Sequence, residues 1–211
     1  MAGKRKAESA AAGIARLVPV QKRSRERYEH ILAGAAELLA EKGPEAFRIS
    51  ELVERTGVAF GSLYQYFPDK TAIIGTLAER YNQVGRDCVA RDLAAVKTVR
   101  DLHPALCRIV DSYYRMFIDV PVMRDIWQAT QSDRLLQKLD EEDVDFLAGL
   151  LVDAIRRIAP DAAKPALKAW AQLVMTLIAA AVRHAITLPP KEARLLLATF
   201  KRMLPNDLAM L

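Results

Sequence analysis

Ser62, Gln65 and Tyr66 place a hydroxyl, a carboxamide and a phenol within the segment VAFGSLYQYFPDK, residues 58–70. The chemistry that these groups offer is hydrogen bonding. A hydroxyl or an amide can read a base edge, and a phenol can bond a phosphate or rest on a thymine methyl. Gly61 lets another backbone approach closely. Four of the chain's Phe and Tyr residues (Phe60, Tyr64, Tyr66, Phe67) crowd into the same short stretch. On a helical wheel Phe60, Leu63, Tyr64 and Phe67 gather on one side, and Gly61, Ser62, Gln65 and Tyr66 on the other. Leu63 and Phe67 are expected to anchor a short helix whose remaining face meets a partner. Phe60 fits packing against Leu63 and Phe67 better than contact with a thymine methyl.

Such a helix needs a scaffold. Residues Ile49 to Thr56 read as another short helix, with Ile49, Leu52 and Val53 inward, and Gly57 supplies a tight turn after it. Pro68-Asp69 ends the quoted helix and starts the next, with Asp69 as N-cap. Upstream, Tyr28, Ile31, Leu32, Ala35, Leu38 and Leu39 recur at three- and four-residue spacing until Gly43-Pro44 stops the run. Two short helices joined by a glycine turn, the second presenting a polar face, describe a helix-turn-helix. From Lys70 a long helix runs through Ile73, Ile74, Leu77, Tyr81, Val84 and Cys88. Proline-bounded helices are predicted over 102–119, 121–131, 139–158, 163–187 and 190–204. No strand alternation appears, and the fold class is all-α.

The 211 residues carry a net charge of +5, distributed unevenly. Residues 1–28 hold Lys4, Arg5, Lys6, Arg16, Lys22, Arg23, Arg25 and Arg27 against Glu8 and Glu26, so the remainder is slightly acidic. A basic, disordered arm over 1–22 suits a polyanion. Cys88 and Cys107 are too few for a disulfide framework and fit a reducing cytosol. The N-terminus lacks a secretory leader, and the apolar run 169–182 is too short to span a bilayer, so a cytoplasmic protein without a membrane segment is expected. A catalytic role would need a constellation, and the sequence offers no Gly-rich phosphate loop, nucleophile elbow, Cys-x-x-Cys or His-Glu-x-x-His. His30, His103 and His184 are scattered, without metal-ligand spacing. No cofactor is expected.

Over about residues 23–75 the chain resembles the TetR family of bacterial transcriptional regulators. The matching string is ILAGAAELLAEKG followed by ISELVERTGVAFGSLYQYFPDKTAII. The resemblance implies a helix-turn-helix DNA-binding domain over 23–75 and a larger helical bundle over 76–211 that binds an effector and forms a dimer. It implies that residues 60–67 enter the major groove, with Gly61, Ser62, Tyr64 and Gln65 facing bases or backbone and Phe60 at the same surface. Tyr66 and Lys70 match phosphate-binding positions, and Ser50 is a further DNA contact. Arg48 stands where the family commonly has a capping threonine; it can reach phosphate but cannot cap. Ala59 replaces a frequent serine.

In the bundle, large apolar residues suited to a pocket are Tyr113, Met116, Phe117, Met123, Trp127, Phe146, Trp170 and Met175. Arg108, Asp111 and Arg115 are spaced to pair along one helix. Helix 163–187 is apolar over much of its circumference and must be buried on more than one side. Packing it and helix 190–204 against a second copy gives a two-fold homodimer with two reading heads. The function expected is a repressor that binds a palindromic operator and is released by a small, largely apolar ligand. The alternatives are an activator or architectural DNA-binding protein without an effector, and a helical enzyme.

Overall fold

The helical periodicity is realised throughout the computed structural model, which describes residues 19–161 and 164–208. Among these residues the helices are α1 (Lys22–Ala46), α2 (Ile49–Thr56), α3 (Phe60–Tyr66), α4 (Lys70–Ala94), α5 (Leu102–Asp119), α6 (Val122–Thr130), α7 (Arg134–Ile158), α8 (Lys164–Ala185) and α9 (Pro190–Met203). A single 3-10 turn, Val99–Asp101, precedes α5. No strand occurs among the described residues, as the all-α reading requires. The basic arm lies outside them as far as residue 18.

The helices form two compact units, the first running to Asn82 and including Pro121–Asp140, the second comprising Gln83–Val120 and the chain from Glu141. The expected DNA-binding stretch, 23–75, falls in the first unit. There α1 buries Tyr28, Ile31, Leu32, Ala35, Leu38 and Leu39 and packs on α2 and α6. Gly34 permits the close approach of α1 to α2, because a β-carbon there would lie 2.7 Å from the Thr56 methyl. That methyl is held in place by the Thr56 hydroxyl, which donates to the Leu52 carbonyl at 2.7 Å. The predicted stop at Gly43-Pro44 is a kink instead. Gly43 takes φ 73°, open to glycine, and Pro44 begins a last turn that ends at Ala46.

α6 returns to cover α1 with Val122, Met123 and Ile126. Asp125 is half-buried between these residues in sequence, and burial holds its carboxyl above the usual 3.8. A folded-state pKa raised above the unfolded value means that stability is lost as pH rises through it. Asp125→Asn is therefore expected to raise the melting temperature at pH 7. The gain should shrink as pH falls toward 3.8 and vanish below it, which a thermal melt series would show. Asp69 caps α4 as expected, accepting the Ala72 N–H at 2.8 Å. Asp133 does the same for α7 and also accepts the Thr71 hydroxyl at 2.9 Å.

In the second unit α5 packs on α8 and α9, and those two pack on each other. The histidine His103 is structural here, its Nε2 lying 2.9 Å from the Lys201 carbonyl. Two of the three charges spaced to pair along α5, for which solvated charge is the default reading, meet partners elsewhere. Arg108 meets Asp92 at 3.2 Å and Asp111 meets Lys201 at 2.5 Å, both on other helices. α8 has a mean hydropathy of 1.5 over Pro165–Ala185, enough by length and composition to cross a membrane. It nevertheless buries Leu167, Ala171, Met175, Ile178 and Val182 in this unit, while Leu173 and Leu177 stay exposed.

Candidate nucleic-acid interface

α2 and α3 are short, and neither has a side-chain cap. Arg48 precedes α2 in extended conformation, and its guanidinium turns back to donate to the carbonyls of Glu45 (2.6 Å) and Phe47 (3.2 Å). The absence of a cap at Arg48 and Ala59 matches the expectation from their residue types. Gly57 closes α2 in the left-handed region, φ 63°, with its N–H donating to the Val53 carbonyl at 2.9 Å. This is the tight glycine turn that aims α3.

An uncapped helix of about two turns is not stable alone. α3 is held by burial: Leu63 and Phe67 are fully inaccessible and Tyr66 is nearly so. Tyr28 of α1 stacks on the Phe67 ring at 5.0 Å and meets the Tyr66 ring edge-on at 5.8 Å. The Tyr66 hydroxyl is 2.7 Å from Ser24 Oγ. This corrects the expected outward placement of Tyr66. The buried face is centred on Leu63, so the residues three and four places on, Tyr66 and Phe67, both turn inward. Sequence reasoning missed Ser24 as a partner, although Tyr28 stood in the apolar repeat and pointed to the right part of α1.

The same rotation turns the other two rings outward. Phe60 is 47% exposed and Tyr64 41%. Phe60 does not fill the core beside Leu63 and Phe67; its ring lies 6.4 Å from that of Tyr64, with 20° between their planes. The outward face of α3 therefore consists of Phe60, Gly61, Tyr64 and Gln65, with Ser62 half-buried at its border. Arg48 and Ser50 are exposed at the start of α2. Lys22, Arg23, Arg25 and Arg27 are exposed on the first turns of α1, where Ser24 meets α3. Lys70 is half-buried and its ammonium donates to the Pro44 carbonyl. Burial, and then the Arg48 charge, hold its pKa below the ordinary lysine value. A phosphate contact by Lys70 would have to compete with that bond.

His30 is spent on structure, its Nε2 lying 3.0 Å from the Thr56 carbonyl. Among the described residues no group of three or more His, Cys, Asp or Glu could hold a metal ion. The residues expected at a pocket divide between the units. Met123 and Trp127 belong to the first, where Met123 is buried in the α6 face. Tyr113, Met116, Phe117, Phe146, Trp170 and Met175 belong to the second. There Tyr113 and Phe117 make an edge-to-face ring contact at 5.1 Å, and Phe146 lies under the Arg86 guanidinium.

Residues 31–77 match the family model of the bacterial regulatory proteins of the tetR family, and residues 100–211, more than half of the chain, match that of the tetracyclin repressor-like C-terminal domain. The uncharacterized HTH-type transcriptional regulator YvdT of Bacillus subtilis (strain 168) is 43% identical over 53 residues, 25% of this chain and 27% of that protein. The match thus spans about a quarter of that relative's length. The transcriptional regulator FadR of Bacillus subtilis, solved in complex with stearoyl-CoA, superposes with a TM-score of 0.62 at 19% identity, covering 83% of this chain and 94% of FadR. A TetR-family regulator from Pectobacterium atrosepticum gives a TM-score of 0.65 at 16% identity, covering 90% and 98%. These two likenesses concern the fold.

Proposed function

The chain belongs to the TetR family of bacterial transcriptional regulators, and from this premise we propose that it is a cytoplasmic repressor, binding a palindromic operator as a dimer until a small, largely apolar ligand releases it. The observation that carries the reading is the outward face of α3. Phe60, Gly61, Tyr64 and Gln65 are exposed on a helix aimed by the Gly57 turn, which the first turn of α1, rich in exposed cations, meets through Ser24 and Tyr66. Base readout falls to Gln65, Tyr64 and Ser62, and phosphate contact to Arg48, Ser50 and the first turns of α1.

Dimerisation through α8 and α9 fits the apolar residues that these helices leave in water. Leu173 and Leu177 on α8, and Leu195 and Met203 on α9, are exposed within one chain, and a second copy would cover them. An apolar effector fits the aromatic and Met residues of α5, α7 and α8, and a regulator of similar fold was solved with stearoyl-CoA, whose acyl chain is apolar although its CoA moiety is charged. Swinging operator occupancy from 99:1 to 1:99 would require about 5.5 kcal/mol of difference in ligand affinity between the two conformations. α4, which starts beside α3 at Lys70 and continues to Ala94, is the element proposed to transmit it.

The test is a selection of random duplexes by the purified protein, run beside the Tyr64→Ala, Gln65→Ala double variant. An enriched palindrome that the variant loses is the expected result. No enrichment by the wild type at low salt would overturn the reading. Within that palindrome, Gln65→Ala is expected to relax preference at one base pair per half-site, at a cost of about 1–3 kcal/mol. Competition titrations with single-base operator variants measure it.

A further inference from the structure

Two aromatic rings standing side by side in water on a helix of seven residues are not explained by folding. The face they form is also unusual in what it lacks. From Val58 to Pro68 there is no charged residue. Specific reading of guanine is done chiefly by Arg or Lys bonding O6 and N7 together, and α3 has neither. It offers one carboxamide, Gln65, whose geometry suits adenine N6 and N7. The remaining exposed surface is the Phe60 and Tyr64 rings, nearly parallel and 6.4 Å apart.

An apolar ring gains from the major groove only where the groove itself presents an apolar group. The thymine C5-methyl is that group; neither member of a G·C pair carries one. We propose that Phe60 and Tyr64 read thymine methyl groups, so that the operator half-site under α3 is built on A·T pairs. The inference rests on the DNA-binding reading given above and adds to it the identity of the bases. Duplex DNA is favoured over a protein as the occupant of this face because four cations, against the single acid Glu26, stand exposed on the first turns of α1, where Ser24 meets Tyr66 of α3. Arg48 stands at the start of α2, and Lys22, Arg23, Arg25 and Arg27 on the first turns of α1. The rings also occupy positions i and i+4, so both face one groove from one side of the helix.

Replacement of thymine by deoxyuridine removes the methyl and nothing else, and it leaves the protein untouched. The selected operator is synthesised with each thymine replaced in turn, and dissociation constants are measured at one salt concentration. The wild type should bind about fourfold more weakly for each methyl removed under a ring. Sensitivity should be confined to one or two positions per half-site. Phe60→Ala or Tyr64→Ala should bind the thymine and uracil versions of the matching position equally. Both side chains are exposed, and circular dichroism checks that the variants keep their helices.

Insensitivity of the wild type at every thymine would overturn the proposal, as would variants that keep the wild-type sensitivity. A palindrome enriched with G·C pairs under α3 would overturn it too. In each of these cases the DNA-binding reading survives, because a duplex is still bound. If no duplex is enriched at all, the DNA-binding reading fails and the methyl assignment falls with it.

Discussion

Phe67→Ala is expected to cost about 3–5 kcal/mol of stability and to release α3 from its seat. The Phe67 ring is fully buried and stacks on Tyr28 at 5.0 Å, with the Tyr66 ring 6.4 Å away. Its removal deletes a large apolar group and leaves a cavity that two tyrosines cannot fill without leaving their own positions. Tyr66 would have to abandon Ser24, and Tyr28 is fixed in the buried stripe of α1. α3 has no cap to fall back on. Phe60→Ala provides the contrast. It sits on the same two-turn helix, yet its side chain is half in water, and its substitution should change stability by no more than about 0.5 kcal/mol. Urea denaturation of both variants decides the matter. Equal losses would mean that the face of α3 has been assigned wrongly. A loss for Phe67→Ala alone would separate the ring that holds the helix from the ring that is free to read DNA.

That distinction marks where the sequence stopped being informative. The apolar period of α1, the Gly57 turn, the Asp69 cap and the proline-bounded helices from Leu102 onward were all legible, because each depends on residues close in the chain. The rotation of α3 was not. With seven residues, the wheel allows two apolar arcs: one centred between Phe60 and Leu63, the other on Leu63 alone. Choosing between them needs the partner surface, here Tyr28 and Ser24, more than thirty positions upstream. The start of α7 was missed for a related reason. Arg134 to Lys138 looks like a polar connection, but Asp133 caps it and Leu136 is buried, so the helix begins earlier than residue 139. The return of α6 to α1 is likewise tertiary. Nothing local in Val122–Thr130 says which helix its apolar face will meet.

Arg86 and Asp143 give the second large effect, and their separation of 57 positions hid the pair from sequence reading. Arg86 Nε donates to Asp143 Oδ1 at 2.6 Å, with the side chains only 6% and 15% exposed, and the guanidinium lies 5.0 Å from the Phe146 ring centre. Removing Arg86 alone, as in Arg86→Met, takes away the cation that Asp143 meets at 2.6 Å in a poorly solvated site and is expected to cost about 3–5 kcal/mol. Asp143→Leu alone takes the carboxylate from a guanidinium that is 6% exposed and should cost a similar amount. The double variant Arg86→Met, Asp143→Leu removes both charges together. Its loss should be far smaller than the sum of the two, because each single variant already breaks the contact that the pair shares. Arg86→Lys should not rescue, since a lysine keeps the charge but loses the flat donor that both the carboxylate and the ring face use. A four-protein denaturation cycle measures the coupling. Additive losses would show that water reaches the pair; strong coupling would make it the charged lock between the second half of α4 and α7. Any ligand that acts through α4 would then have to work with that lock closed or supply an anion to replace Asp143.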